Sequence, residues 1–308
     1  MGEHYLQAEP FLRWAGGKRW LARLLGPCLS DFLQESHGSY IEPFLGAGAM
    51  FFAVRPNRAV LSDTNDELIE TYRLVASRHR EIERKLKRIR ISARSYYRWR
   101  ASTSLSGVTK ATRFIFLNRT CYGGLYRTNL SGVFNVPYGG GSRTPEVLWK
   151  HRILSRAAAA LNHDGISLEC CDFQQTLNKA RRGDVVYCDP TYITAKRGPF
   201  DRYGANVFSW SDQERLAESV RNLARRGAMV IVSNAASREL IDLFDPPMHF
   251  EIERKKVIGK RPLNGDAHRE FVFIFFPRTP TTATARNSLR RLFEAAMEQS
   301  RLDEPLAA

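Results

Sequence analysis

The chain has 308 residues, 43% of them hydrophobic, which is enough to build a domain core. No apolar run approaches the roughly 18 residues that span a bilayer, and the first ten residues lack the apolar stretch of a signal peptide, so we expect a cytoplasmic protein. Lys and Arg outnumber Asp and Glu by 47 to 32, a net charge of +15 that favours a nucleic-acid partner over a membrane surface. The 5 cysteines lack paired zinc-ligand spacing and predict reduced thiols without a bound metal.

Strand and helix patterns alternate at the start of the chain. Residues 39–44 predict a buried strand that runs into a glycine turn at 46–48. A helix over 49–54, a strand over 58–62 and a helix from about 65 to 76 are predicted next. This order is typical of the opening of a doubly wound α/β sheet.

The pattern changes at residue 78 and resumes near 165. After residue 78 come Lys and Arg residues that are interleaved with Tyr96, Tyr97 and Trp99. A stretch rich in Gly and Asn follows over 118–141. Further strands are then predicted over 167–171, 184–188, 228–233 and 271–276, with a helix over 212–226. We therefore predict a sheet domain in two parts, an insertion and a polar tail with one weak helix at 289–297, with bounds of 1–77, 78–164, 165–277 and 278–308.

One acid precedes the glycine turn in the sequence, and a second acid follows it. It reads E-P-F-L-G-A-G from Glu42 to Gly48, and Asp63 comes 21 residues after Glu42. An acid about 20 residues past such a turn commonly binds ribose hydroxyls. The turn lacks the third glycine of the dinucleotide pattern and a phosphate-binding Lys, which argues against NAD and nucleoside triphosphates. A purely structural glycine turn remains the alternative.

A second motif follows the predicted strand at 184–188. Asp189 can accept hydrogen bonds from an amine, and Tyr192 can stack on a flat ring. Pro190 makes a rigid turn whose carbonyl is free to face the same amine. The alternative interpretation is a helix-capping Asp followed by a turn proline.

A third motif, F-L-R-W-A-G-G-K, covers residues 11–18 and is informative only together with the other two. In this order the three motifs resemble the Dam-like family of DNA adenine methyltransferases, which also carries S-D-x-N, matched at 62–65. The segments 118–129 and 132–139 are similar to the family's target-recognition hairpin. C-D-F at 171–173 and V-S-N at 232–234 match as well, so the resemblance runs from residue 11 to about 276.

The resemblance implies a Rossmann-like doubly wound methyltransferase sheet with an inserted, mainly helical target-recognition domain that carries a β-hairpin. It implies S-adenosyl-L-methionine as cofactor, bound by Trp14, Lys18, Glu42, Phe44, Gly46, Asp63, Asp172, Phe173 and Asp189. It implies catalysis by Asp189, Pro190 and Tyr192. The target adenine would flip out of the duplex and stack on Tyr192, while Asp189 and the Pro190 carbonyl bind its amine.

By the same resemblance the insertion reads double-stranded DNA. The implied DNA-binding residues are Arg13, Arg119, Tyr122, Gly123, Leu125, Arg127, Asn129, Pro137 and Tyr138. Arg127 suits a guanine, Leu125 and Pro137 a thymine methyl, and Tyr122 the space left by the flipped base. Phosphate contacts are expected from Arg84, Lys85, Lys87, Arg88 and Arg90, and from Arg254, Lys255, Lys256, Lys260, Arg261 and Arg269. The alternative for these charges is a solvated surface.

The sequence departs from the family at three places. Thr191 replaces the second proline of D-P-P-Y, Gly123 stands where many relatives have Asn, and Gly139–Gly141 replaces a basic stretch. The target GATC is therefore an expectation that admits variants. Alternatives are a DNA-binding regulator without turnover, an RNA or protein amine methyltransferase and, more remotely, a dehydrogenase. We expect a monomer or weak dimer in a bacterial or phage-infected cell, with or without a partner restriction nuclease.

Overall fold

The computed structural model describes most of the chain between residues 8 and 277. The described ranges are 8–14, 17–129, 132–140, 148–149, 152–191, 208–254, 257–258, 261–262, 268–277, 287–288, 290–291 and 294–295.

The first elements alternate as the sequence predicts, with one addition. They are α1 (Arg19–Ser36), β1 (Tyr40–Glu42), α2 (Ala49–Val54), β2 (Ala59–Asp63) and α3 (Asp66–Arg88). The side chain of Asn65 caps α3 by accepting from the Leu68 amide at 3.0 Å. Acidic residues in its first turn and basic residues in its last turn match the helix dipole.

The later elements complete a mixed α/β structure. The insertion contains α4 (Ala93–Ala101), α5 (Gly107–Thr120), a 3₁₀ turn (Tyr122–Gly124) and α6 (Ile153–Leu161). The second part of the sheet domain contains β3 (Ile166–Cys170), α7 (Phe173–Leu177), β4 (Val185–Cys188), α8 (Trp210–Arg225), β5 (Met229–Ala235), α9 (Arg238–Phe244), β6 (Met248–Arg254), β7 (Val257–Ile258), β8 (Arg261–Pro262) and β9 (His268–Phe275).

Seven strands form one sheet in the order β3-β2-β1-β4-β5-β9-β6. β1 to β5 are parallel, and β9 runs antiparallel to both of its neighbours. Ile41 of β1 pairs with Val60 on one side and with Val186 on the other. The strand order reverses between β1 and β4, and open α/β sheets bind ligands beyond the carboxyl ends of the strands at such a point.

Helices cover both faces of the sheet, so β4 is fully buried. Val185 and Tyr187 face a core shared with α1, α2 and α3, whereas Val186 and Cys188 face a core shared with α8 and α9. The first core continues without a break into α4, α5 and α6 of the insertion. The insertion therefore packs on the sheet domain through a common core, and its separation as a domain stays a prediction.

The described structure agrees with the predicted fold class and differs in detail. α2 matches its predicted bounds, and β2 and β3 lie within one residue of theirs. α3 continues to Arg88 instead of ending near 76, with a local break at Arg78, because Ile82 and Leu86 keep one helix face buried. The sheet-domain elements α1, α7, α9, β6, β7 and β8 were not predicted. Most of the predicted helix at 289–297 lies outside the described residues, whereas 290–291 and 294–295 are helical.

Candidate functional site

Three carboxylates lie at the carboxyl ends of three adjacent parallel strands. Glu42 ends β1, Asp63 ends β2, and Asp189 follows β4. Because β1 lies between β2 and β4, the three acids meet at one edge of the sheet, beside the point where the strand order reverses. The sequence motifs predicted the acids separately, and the topology brings them together.

The glycine turn between β1 and α2 is held on both sides. Gly46 and Gly48 have φ values of +47° and +66°, a left-handed conformation that glycine adopts without steric cost. The Gly46 amide donates to Oδ2 of Asp63 at 3.1 Å, and the Tyr72 hydroxyl donates to the Gly46 carbonyl at 3.1 Å. Asp63 thus holds the turn through one carboxylate oxygen, while its other oxygen accepts from the Asn65 amide at 3.0 Å.

Glu42 lies buried beneath this turn. Its Oε2 accepts from the Tyr40 hydroxyl at 2.9 Å. Burial raises the pKa of Glu42 well above its usual range, and the negative charge of Asp189 raises it further. A ligand that donates hydrogen bonds or carries positive charge would relieve this unfavourable burial, so Glu42 suits a cationic or hydroxyl-bearing ligand.

Asp189 is partly accessible, with 23% of its side chain exposed, whereas Glu42 is buried. Its Oδ1 accepts from the Ser233 hydroxyl at 2.6 Å and lies 3.1 Å from Nζ of Lys18. Lys18 is buried, and its Nζ lies 3.8 Å from Oε2 of Glu270 on β9. Pro190 is buried and Thr191 is exposed. Tyr192 lies outside the described residues, as do Ala15 and Gly16 of the first motif.

Three aromatic rings form a cluster beside the acids. The Phe44 and Phe173 rings are stacked with centroids 5.4 Å apart, and Phe208 packs on them at 5.5 and 5.6 Å. Asp172 caps α7 by accepting from the Gln174 amide and pairs with Arg215 at 3.0 Å. The motifs predicted Phe44, Phe173 and Asp172, whereas Phe208 and Arg215 were missed because they belong to no motif in the sequence.

The N-terminal motif joins the glycine turn to the insertion. The Trp14 ring stacks on Tyr126 at 5.2 Å, and a Cβ at Gly46 would lie 3.0 Å from Trp14 Cδ1. The Asn118 side chain binds the Arg13 backbone on both sides, accepting from its amide at 2.8 Å and donating to its carbonyl at 2.7 Å. The glycine turn and Tyr126 of the predicted hairpin are therefore packed against the same side chain, that of Trp14.

The predicted hairpin follows α5. Antiparallel bridges join Cys121 to Tyr138 and Thr128 to Phe134, and residues 130–131 between them lie outside the described ranges. Leu125, Arg127 and Asn129 alternate as exposed residues. One side of this segment is therefore presented to solvent.

Other predicted DNA-binding residues occupy the same exposed region. Tyr122 is 54% exposed, and Gly123 and Pro137 are exposed beside it. Nε of Arg127 donates to Oδ1 of Asn135 at 2.9 Å, which orients its guanidinium. Tyr138 is half-buried against Tyr96, with ring centroids 5.3 Å apart.

Arg119 is placed differently from the expectation. It is only 5% exposed, and its Nη2 donates to the Leu148 carbonyl at 2.7 Å. α5 is buried on nearly all sides, so a basic residue in its last turn faces protein. Arg119 thus braces the insertion in this structure, and we do not include it among the residues proposed to contact DNA.

The predicted phosphate-binding residues at the end of α3 are on the surface. Arg84, Lys85, Lys87, Arg88 and Arg90 are all exposed. Glu81 forms its ion pair with Arg78 at 2.7 Å. On β9, exposed Arg269 pairs with Glu251 at 3.1 Å, while the side chains of Arg254, Lys255, Lys256, Lys260 and Arg261 lie outside the described part.

Within the described residues, no group of three or more His, Cys, Asp or Glu side chains is arranged to hold a metal ion. None of the described helices combines the length and apolar character needed to cross a membrane.

Comparison with known proteins gives a consistent result. The family model of the D12 class N6 adenine-specific DNA methyltransferases matches residues 14–258. The chain is 32% identical to the type II methyltransferase M1.LlaDCHI of Lactococcus lactis subsp. cremoris over 265 residues, which cover 83% of this chain and 91% of the relative. It is 31% identical to the type II methyltransferase M.MjaIII of Methanocaldococcus jannaschii, over 87% of this chain and 98% of the relative. Its identity to a DNA adenine methylase of Serratia marcescens is 30%, over 86% and 97% of the two chains.

Proposed function

The chain belongs to the D12 class of N6 adenine-specific DNA methyltransferases, and from that premise we propose that its methyl donor is S-adenosylmethionine and its acceptor an adenine flipped out of a short duplex site. The observation that carries the proposal is the convergence of Glu42, Asp63 and Asp189 at the carboxyl ends of β1, β2 and β4. One acid there is partly exposed for an amine, and the other two flank a glycine turn suited to a cofactor.

The residues around the turn fit S-adenosylmethionine. Gly46 leaves no side chain between the turn and Trp14. Glu42, whose pKa is raised by burial, favours a ligand with hydrogen-bond donors or positive charge, and Asp63 stands where acids bind ribose. We propose that the faces of Phe44 and Phe173 bind the adenosine ring system, together with Asp172 at the start of α7. When bound, this cofactor supplies an electrophilic methyl group on a sulfonium.

Asp189 has the central role in activating the target. An adenine amine is a poor nucleophile because its lone pair is conjugated with the ring. Hydrogen bonds from its protons to Asp189 and to the Pro190 carbonyl favour the pyramidal amine, whose lone pair can attack. The charge of Asp189 also stabilises the positive charge that develops on the nitrogen. In this proposal Tyr192 stacks on the flipped base.

The insertion, residues 78–164, is proposed to recognise the duplex. The exposed hairpin presents Tyr122, Gly123, Leu125, Arg127 and Asn129. Arg127 suits a two-pronged contact to guanine, and Leu125 suits a thymine methyl. Further contacts are proposed from Arg13, Pro137 and Tyr138, with the basic end of α3 against phosphates. GATC or a variant of it is the proposed site.

The product of the reaction tests this function directly. Wild-type protein is incubated with tritiated S-adenosylmethionine and unmethylated plasmid, and the DNA is digested to nucleosides. We expect the label in N6-methyladenine, and mapping of the protected sites then gives the target sequence. Parallel reactions with RNA and with a protein mixture distinguish the other amine methyltransferases. Binding of DNA without label in any substrate would favour the regulator without turnover and contradict the proposal.

Replacing Gly46 with alanine is expected to weaken cofactor binding about tenfold. The new Cβ would lie 3.0 Å from Trp14 Cδ1 at a φ of +47°, so both the ring and the turn must shift. Gly107→Ala is the matched control, because Gly107 also has a positive φ of +53° but has nothing within 4 Å of a Cβ. Calorimetric titration with S-adenosylmethionine measures the effect, and equal affinities in both variants would contradict the assigned turn. The tenfold figure corresponds to about 1.4 kcal/mol.

Replacing Gly124 with alanine is expected to reduce the affinity for specific DNA about tenfold. A loss of this size lies within the usual range for one contact between a side chain and a base edge. Its Cβ would lie 2.7 Å from Cβ of Arg13, which must move away from the hairpin. Gly132→Ala has a similar φ, +73°, with nothing within 4 Å, and serves as the control. Fluorescence anisotropy compares a duplex that carries the mapped target site with a duplex of scrambled sequence. Loss of affinity for both duplexes alike would argue against a role of this contact in sequence reading.

A further inference from the structure

The carboxylate of Asp189 is held from two different elements. β5 extends past β4, and Ser233 stands one residue beyond Val232, the last residue of β5 that pairs with β4. The Ser233 hydroxyl therefore reaches the turn after β4 and lies 2.6 Å from Oδ1 of Asp189. Lys18, which precedes α1, approaches the same oxygen at 3.1 Å. Both contacts are made to Oδ1.

The protons of this network can be assigned from the chemistry of its members. An ionised carboxylate only accepts hydrogen bonds, so the Ser233 hydroxyl donates to Asp189. The Tyr187 hydroxyl lies 3.1 Å from Oγ of Ser233. Because the proton of Ser233 is already used, Tyr187 is the donor in that pair. A directed chain thus runs from Tyr187 through Ser233 to Asp189.

Burial makes this chain rigid. Ser233 is fully buried, and Tyr187 and Lys18 are only 2% and 4% exposed. The Tyr187 ring belongs to the core beneath the sheet. Hydrogen bonds to a charged group are stronger than neutral ones and gain strength where water is excluded. The position of Oδ1 is therefore determined by groups that have little freedom to move.

The second carboxylate oxygen is in a different situation. Among the described residues, no side chain forms a hydrogen bond with Oδ2 of Asp189, and the Asp189 side chain is 23% exposed. We propose that Ser233 is a positioning residue that, together with Lys18, holds Oδ1 so that Oδ2 accepts the hydrogen bond from the adenine amine. Tyr187 orients Ser233. This assignment rests on the proposed function.

Because Thr191 replaces the family's second proline, the contacts of Ser233 and Lys18 with Asp189 become more important. A proline restricts the backbone of the residue before it, and Thr191 imposes no such restriction on Pro190. The orientation of the Pro190 carbonyl, the other proposed partner of the amine, is consequently less constrained. The fixed position of Oδ2 therefore contributes more to orienting the amine than the Pro190 carbonyl does.

Steady-state and single-turnover kinetics of Ser233→Ala test the proposal. A hydrogen bond to a charged group is worth about ten- to a hundredfold in rate, so we expect kcat to fall by that factor. The KM values for DNA and S-adenosylmethionine should stay near those of the wild type, because in this proposal Ser233 acts only through Asp189. Tyr187→Phe, which keeps the ring, should lower kcat by about two- to tenfold. Ser77→Ala, which removes an exposed serine of α3, is the control.

The double variant Ser233→Ala/Tyr187→Phe separates positioning from general packing. If Tyr187 acts through Ser233, its substitution causes no further loss once the serine is gone. Losses that multiply, an unchanged kcat in Ser233→Ala, or an effect confined to KM would each overturn the assignment. Thermal unfolding of each variant is measured alongside. A wild type that methylates no adenine contradicts the proposed function itself, whereas an active wild type beside a fully active Ser233→Ala contradicts only the positioning role.

Discussion

Replacing Asp189 with alanine is expected to lower kcat by about 10²- to 10³-fold, the usual effect of removing one preorganised group that stabilises transition-state charge. Asp189 is the partly exposed acid at the carboxyl end of β4, and its Oδ1 is fixed by Ser233 and Lys18. Without the carboxylate, nothing at this position accepts a hydrogen bond from the amine or stabilises positive charge on its nitrogen. DNA affinity should change little, because the hairpin and the end of α3 are untouched.

Two companion variants make the result specific. Asp189→Asn keeps an acceptor oxygen but loses the charge, so its rate should lie between those of the wild type and Asp189→Ala. Asp31→Ala removes an exposed acid of α1 and should retain full activity. The measurement is transfer of tritiated methyl groups at saturating DNA and cofactor. An Asp189→Ala protein that turns over at the wild-type rate would exclude the proposed activation of the amine.

Local patterns account for the parts of the site that could be predicted from the sequence. The apolar run before Asp189 and the glycine turn after Glu42 are read within a few residues, and both lie where expected. A doubly wound sheet was expected from the family resemblance and from the alternation of strands and helices, whereas the strand order that brings these two segments to adjacent positions was not predicted. The fold class was therefore within reach of the sequence.

The remaining parts depend on contacts between distant segments. Ser233 reaches Asp189 across 44 positions of the chain, and only the antiparallel packing of β9 on β5 brings Glu270 near Lys18. Arg119 was expected among the DNA-binding residues because it lies in segment 118–129, which resembles the family's target-recognition hairpin. Its burial follows from the packing of α5 on α3, which no local pattern reveals.

Replacing Gly38 with alanine is expected to reduce the free energy of unfolding by about 3 kcal/mol, the upper part of the usual range for overpacking. A Cβ at Gly38 would lie 2.0 Å from the carbonyl oxygen of Gly183 and 2.5 Å from its carbon. These are backbone atoms, so no side-chain rotation can relieve the overlap. The segments involved precede β1 and β4, where the Val185 amide donates to the Ser39 carbonyl at 3.0 Å.

The overlap would push β1 and β4 apart at the centre of the sheet, where their carboxyl ends carry Glu42 and Asp189. Loss of stability should therefore be accompanied by loss of methyl transfer at temperatures where the wild type is still folded. Urea unfolding followed by circular dichroism measures the first effect. Gly17→Ala is the control, because its Cβ would have only a 3.4 Å contact with the Trp14 carbonyl oxygen. Equal unfolding midpoints for the two variants would contradict the close approach of Gly38 to Gly183. The close packing of β1 against β4 would then not depend on a glycine at position 38.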